Sequence, residues 1–97
     1  MEHPELAALR IEIDKIDAHL VELLAQRFDI TNQVGVLKAQ KKLSAIDPER
    51  EARQAQRYTE LANEFGVKPA VVQNLFRGII DEVVINHRAI AVQTAFQ

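Results

Sequence analysis

The cationic residue Arg27 interrupts an otherwise apolar helical seam, between Leu23 and Ile30. A guanidinium that faces a protein core is costly unless an anion meets it. Lys38 follows 11 residues later. On a helix this separation is about three turns, about 16 Å along the axis and about 20° of rotation. The two long side chains can lean together, so their spacing predicts a pocket for a small dianion.

A third cation, Arg10, precedes Arg27 by 17 residues. On one helix this places Arg10 about 25 Å away and about 100° round the axis. Within one chain it therefore cannot reach the same ligand. In an antiparallel dimer it can reach the ligand bound by the partner.

Further polar residues lie beside the second and third predicted helices. The loop before the second helix supplies Asp47, Arg50 and Glu51. An arginine in a first helical turn opposes the helix dipole, which indicates an anionic ligand nearby. On the third helix, Val83 and His87 lie one turn apart on one face.

Each of these residues also has an ordinary structural interpretation. Arg27 can extend to solvent beside a helix seam, and Lys38 can belong to a solvated helix end. Arg50 can be part of a surface charge cluster, and His87 can be a hydrogen-bonded histidine at the edge of a core. Taken one at a time, the residues leave both interpretations open. Taken together, they predict a pocket for a small polyanion.

Other kinds of site have no support in the sequence. Cysteine is absent, which excludes a disulfide scaffold, a thiolate zinc site and a cysteine nucleophile. The histidines His3, His19 and His87 show no metal-ligand spacing. Ser44 lacks a His or Asp arrangement for nucleophilic catalysis, and no glycine-rich phosphate loop occurs. We therefore expect no metal site.

The elements that would position these residues are helices. After Pro4 the apolar residues recur at alternating intervals of three and four, which predicts a helix from about residue 5 to about residue 41. A second helix is predicted from Asp47-Pro48, a good N-cap and first-turn pair, to Gly66. A third is predicted from Pro69 to about residue 94. The predicted class is all-α, with one domain over residues 1–97. The second helix has an apolar-leaning stripe formed by Glu51, Ala55, Tyr58, Ala62 and Phe65. The third carries on one face Val72, Phe76, Ile79, Val83, Asn86 and Ile90.

The first helix is too long for a core made by its own chain. A helix of about 36 residues measures about 54 Å, whereas a compact chain of this size has a diameter of roughly 30–35 Å. Its apolar seam would be exposed to water unless a second copy covered it. The sequence therefore predicts an intertwined homodimer. The alternative is a monomer in which the helix kinks near Gly35.

Charge and hydropathy restrict the partners. The chain has 12 Lys and Arg against 14 Asp and Glu, a net charge of −2 at pH 7. The basic excess that drives non-specific nucleic-acid binding is absent, and no apolar run approaches the roughly 20 residues of a membrane span. The first residues show no secretory signal pattern. We expect a cytoplasmic protein that binds neither nucleic acid nor membrane.

In their order along the chain, these residues resemble the all-helical chorismate mutase family. No single segment is specific for this family. The ordered set of Arg10, Arg27, Lys38 and Arg50-Glu51, at these intervals, is what makes the resemblance strong. The resemblance covers essentially the whole chain. The segments that carry it are Leu9 to Asp17, Leu23 to Arg27, Val34 to Lys38, Asp47 to Glu51 and Leu75 to Ile80.

The resemblance implies an isomerase that rearranges chorismate to prephenate, on the route to phenylalanine and tyrosine. This intramolecular Claisen rearrangement uses no cofactor, metal or covalent intermediate. Catalysis then comes from holding a reactive conformer and from electrostatic stabilisation of developing charge.

The resemblance also assigns roles to individual residues. Arg27 and the partner's Arg10 would bind the two substrate carboxylates, with Arg50 assisting. Lys38 would lie at the ether oxygen, where negative charge grows as the C–O bond breaks. The ring hydroxyl would be held by Glu51 and by the backbone around Asp47.

Two positions depart from the family's pattern. Where the family often has Ser, this chain has Val83, which donates no hydrogen bond. Where the family commonly has Gln at the ether oxygen, this chain has His87. A neutral imidazole donates from one ring nitrogen. The resulting hypothesis is that His87 assists Lys38 at the ether oxygen.

Other functions stay open at this point. One is an isochorismate pyruvate-lyase of the same fold, which makes salicylate; Glu51 argues against it, because a carboxylate suits the hydroxyl position of chorismate. A 4-amino-4-deoxychorismate mutase is another. The third is a non-catalytic helical dimerisation or regulatory module.

Because the chain has no room for a dehydratase, dehydrogenase or ligand-sensing domain, we expect a single-function enzyme without built-in feedback by aromatic amino acids.

Overall fold

A computed structural model describes residues 3–96 and places them in three helices. These are α1 (Pro4–Gln40), α2 (Pro48–Phe65) and α3 (Pro69–Ala95). No strand occurs within the described residues. The all-α class and the long first helix are confirmed. Gly35 lies inside α1 and does not interrupt the helix.

The chain divides into two compact units, Met1–Thr31 and Asn32–Gln97. In its described part, the first unit is the amino-terminal portion of α1. The predicted apolar seam of this unit is exposed, with side chains between 43% and 66% accessible. An apolar stripe of this length in water is unfavourable and is typical of a surface that associates. Its members are Leu6, Leu9, Ile13, Ile16, Leu20, Leu23 and Ile30.

The second unit contains the last turns of α1 together with α2 and α3, and local signals in the sequence set its helix ends. Asp47 caps α2, and its carboxylate accepts a hydrogen bond of 3.1 Å from the backbone N–H of Arg50. Gly66 ends α2 with φ of 69°, a left-handed conformation that favours glycine. The N–H of Val67 then reaches back to the carbonyl of Ala62 at 2.8 Å.

Aromatic stacking joins α2 to α3. The rings of Tyr58 and Phe76 are parallel within 5°, with centroids 3.8 Å apart. Tyr58 is buried, and the amide of Gln73 donates to the carbonyl of Ala55 at 2.8 Å and to the hydroxyl of Thr59 at 2.9 Å. The stack and these hydrogen bonds fix the relative position of the two helices.

The two stripes that the sequence predicts differ in how far they are buried. Tyr58 and Ala62 of the α2 stripe are buried, and the six residues on the α3 face are half-buried. Phe65 is 72% exposed because it is the last residue of α2, where the chain turns away. Ala55 is exposed beside an open pocket between the two helices.

Within residues 3–96, no helix combines the length and the apolar character needed to cross a lipid bilayer.

Candidate functional site

The carboxyl-terminal turn of α1 holds Lys38 against the loop that follows. Lys38 is half-buried, and its ammonium donates to the carbonyl oxygen of Ala45 at 3.5 Å. Its own carbonyl accepts from the N–H of Leu43 at 2.8 Å. Lys42, with φ of 56°, provides the left-handed residue on which the chain reverses. Lys38 is therefore tied to the loop rather than fully solvated.

His87 packs directly on the backbone of α1 at Gly35. His87 is 4% exposed. Among the described residues it is the one polar side chain that is buried. A Cβ built on Gly35 would lie 2.6 Å from Cδ2 and 3.2 Å from Nε2 of His87. Only a residue without a side chain leaves room for this imidazole.

The contact places His87 next to the turn that carries Lys38. Lys38 follows Gly35 by three residues, about 4.5 Å along the helix axis. The structure thus places His87 of α3 against the turn of α1 that carries Lys38, and the joint role of the two residues stays a prediction. Val83 lies one turn before His87 on α3, is half-buried and supplies no hydrogen-bond donor.

The predicted residues of the loop and of α2 gather at the start of that helix. Asp47 and Arg50 are exposed, and Glu51 is half-buried. Asp47 already serves as the N-cap, accepting from Arg50 through its side chain and from Glu51 through its carbonyl at 3.0 Å. The backbone of Arg50 is thus fixed, whereas its guanidinium projects from an exposed position.

The remaining two predicted residues, Arg10 and Arg27, belong to the first unit. On α1, Arg10 is exposed and Arg27 is half-buried. The other six, Lys38, Asp47, Arg50, Glu51, Val83 and His87, belong to the second unit. The joining of the two arginines with those six stays a prediction.

A surface pocket of about 170 Å³ opens between α2 and α3. It shares Glu51 with the predicted site, but the other predicted residues do not line it. Its charged lining residues are Arg77, Glu51 and Asp81, so it carries more negative than positive groups. Such a lining does not suit a dianion.

This pocket was not among the predicted features, although its signal is present in the sequence. Gln73, Arg77 and Asp81 recur every four residues and so share one face of α3. That face adjoins the apolar stripe that carries Phe76. The contact of Gly35 with His87 was not predicted either, because the close approach of a neighbouring side chain is not visible in the sequence.

Three helices, of which the long first one carries several cationic residues, define the class of small all-α proteins. Residues 9–88 match the family model described as chorismate mutase type II. The chain belongs to this family. All eight predicted site residues lie inside the matched range.

Individual relatives agree with the family match. The chain is 36% identical over 78 residues to a T-protein of Enterobacter agglomerans, which covers 80% of this chain and 21% of that protein. It is 32% identical over 89 residues to the T-protein of Haemophilus influenzae, covering 92% of this chain and 24% of that protein. The chain thus spans less than a quarter of the length of these two relatives. It is also 31% identical over 77 residues to a chorismate mutase of Methanocaldococcus jannaschii, covering 79% of this chain and 78% of that protein.

Proposed function

We propose that this protein is an isomerase that converts chorismate to prephenate. The observation that carries the proposal is the family match over residues 9–88, which encloses every predicted site residue. The reaction breaks a C–O bond and forms a C–C bond within one molecule. Protein groups need only hold the folded conformer and stabilise the charge that develops.

Lys38 and His87 act at the ether oxygen of the substrate. The packing of His87 on Gly35, one turn before Lys38, supports this pairing. The ammonium of Lys38 has three donors, and the bond to Ala45 leaves the others for a ligand. A positive charge and a second hydrogen-bond donor at one oxygen stabilise the negative charge that grows there.

Arg27 and the partner's Arg10 bind the two carboxylates, assisted by Arg50. Guanidinium groups pair with carboxylates through two parallel hydrogen bonds, which fixes the orientation of the substrate as well as its charge. Glu51 and the backbone around Asp47 hold the ring hydroxyl. Glu51 is half-buried in the first turn of α2, which suits a fixed acceptor.

The partner is a second copy of this chain, in an intertwined homodimer. The exposed apolar seam of α1 supports this assembly, because a second α1 would remove it from water. The dimer also supplies Arg10, which the spacing on α1 keeps away from the ligand of its own chain. The cytoplasmic location stays a prediction of the sequence.

The test is to incubate the purified protein with chorismate and follow prephenate formation. Arg27→Ala should abolish most of the turnover while the helical circular dichroism spectrum is retained. Arg53→Ala, which removes an exposed arginine of α2 outside the site, is the matched control and should retain parental turnover. A non-catalytic dimerisation module predicts no turnover in the parent and an unchanged or more stable Arg27→Ala variant.

The role of His87 is tested by the pH–rate profile of His87→Ala against the parent. Loss of one donor to a developing oxyanion costs roughly 10²-fold in rate. If the two rates agree within about twofold and the two pH profiles superimpose, His87 has no such role, because a twofold change is far smaller than this cost.

A second candidate is the rearrangement of 4-amino-4-deoxychorismate. The chain is 31% identical over 77 residues to a 4-amino-4-deoxychorismate mutase of Streptomyces pristinaespiralis, covering 79% of this chain and 60% of that protein. The carboxylate of Glu51 can accept from an amine as well as from a hydroxyl. Comparing kcat/KM for both substrates decides between them, and an arm with isochorismate, followed by salicylate formation, tests the lyase.

A further inference from the structure

The contact between Gly35 and His87 has a second consequence for the site. His87 is 4% exposed, so its imidazole is enclosed by protein rather than by solvent. A Cβ on residue 35 would meet its Cδ2 at 2.6 Å, and real Cβ atoms essentially never approach another heavy atom so closely. The same Cβ would lie 3.1 Å from the Cδ1 of Ile90, a flexible end that can yield. The ring of His87 is therefore the group that must move.

We propose that Gly35 is the positioning residue of this site: its bare α-carbon holds the imidazole of His87 in the orientation that directs it to the substrate beside Lys38. The proposal rests on the proposed function, because it assigns a purpose to the orientation of the ring. It adds a residue that carries no chemistry of its own. Any side chain at residue 35 would push the imidazole away from α1.

Gly78 provides a matched control. Both glycines lie inside long helices, but a Cβ on Gly78 meets nothing within 4 Å. Replacing either residue by alanine changes the intrinsic helix propensity in the same favourable direction. Any loss specific to Gly35→Ala therefore reports the displaced imidazole rather than the loss of a glycine.

The experiment compares the parent with Gly35→Ala, His87→Ala, the double variant and Gly78→Ala. Gly35→Ala should lower kcat for chorismate at least about tenfold and change KM by less than about threefold, because a displacement near 1 Å of a catalytic group is costly. In the double variant the additional loss should vanish, with activity within about twofold of His87→Ala alone. Gly78→Ala should retain parental activity.

Histidine side-chain NMR gives a readout independent of activity. The ring resonances that His87→Ala removes identify His87, and Gly35→Ala should shift them while leaving those of His3 and His19 in place. Unchanged His87 resonances would overturn the proposal, and so would activity losses that multiply in the double variant.

Gly35→Ala can also fail to fold. In that case, a double variant that folds supports a clash between the new Cβ and the imidazole, whereas a double variant that is equally unfolded overturns the proposal. A parent without mutase activity overturns the proposed function and the catalytic purpose of Gly35 with it, whereas the resonance shift still decides whether Gly35 holds the ring.

Discussion

The ammonium of Lys38 donates to the carbonyl oxygen of Ala45, 3.5 Å away, across the loop that joins α1 to α2. The side chain is thereby directed before any substrate arrives. Because a hydrogen bond of this length is weak, it orients the ammonium without engaging it fully. Pre-orientation of a charged donor is the condition under which electrostatic catalysis is effective.

Replacing Lys38 by Met removes the charge and keeps most of the side-chain length. We expect kcat/KM for chorismate to fall by at least about 10²-fold, because the developing charge at the ether oxygen loses its cation. Lys41→Met, at an exposed position one turn further on, is the control and should retain the parental value. A comparable loss in both variants would indicate a general charge effect and contradict the assigned role.

Asp47 has two separable functions, the capping of α2 and a contribution to the site. Asp47→Ala removes the acceptor for the Arg50 N–H and should lower the free energy of unfolding by about 1 kcal/mol. Asp47→Asn keeps a capping oxygen and should stay within about 0.5 kcal/mol of the parent. Because the backbone around Asp47, rather than its carboxylate, is assigned to hold the ring hydroxyl of the substrate, Asp47→Asn should also retain turnover. Urea denaturation and the prephenate assay measure the two effects, and inactivity of a fully stable Asp47→Asn protein would refute the backbone assignment.

Lys42 is the one non-glycine residue of the described chain with positive φ, at 56°. A side chain in this conformation costs free energy that glycine avoids. Lys42→Gly should therefore raise the free energy of unfolding by about 0.5–1 kcal/mol, despite the greater flexibility of the unfolded chain. Thermal unfolding checks this, and a lower melting temperature would show that the turn after α1 is not strained.

The stack of Tyr58 on Phe76 holds α2 against α3. Phe76→Leu keeps an apolar side chain and should cost about 1 kcal/mol for the lost ring contact, whereas Phe76→Ala should cost about 2–3 kcal/mol because it also removes buried volume. Phe96→Ala, at a position 86% exposed, is the control and should change the free energy of unfolding by less than about 0.5 kcal/mol. Equal costs for Phe76→Ala and Phe96→Ala would refute the stabilising role of the stack.

The helix ends were predictable from the sequence because local chemistry determines them. Asp47 and Pro48 start α2 whatever surrounds them, and Gly66 ends it by adopting a left-handed conformation that other residues adopt at a cost. Side-chain burial depends on which helix lies opposite. For this reason periodicity puts Tyr58 and Phe65 on the same stripe, whereas in the structure Tyr58 is buried and Phe65 is exposed.

The residue types of the candidate site come from the sequence, but their arrangement cannot be predicted from it. The misplaced charges Arg27 and Lys38 are visible in the spacing of one helix, since a helix has a fixed rise and rotation. The approach of His87 to Gly35 joins residues 52 positions apart and requires the packing of α3 on α1. The same holds for the pocket that combines Glu51 with Arg77.

Mixing of two inactive variants tests the shared site most directly. Arg10→Ala and Arg27→Ala should each be inactive alone, because every site in either homodimer lacks one carboxylate ligand. When the two are refolded together in equal amounts, half of the dimers combine both chains, and each such dimer has one complete site. The mixture should then recover about a quarter of the parental activity. Activity no higher than the mean of the two separate variants would contradict a site built from two copies of this chain.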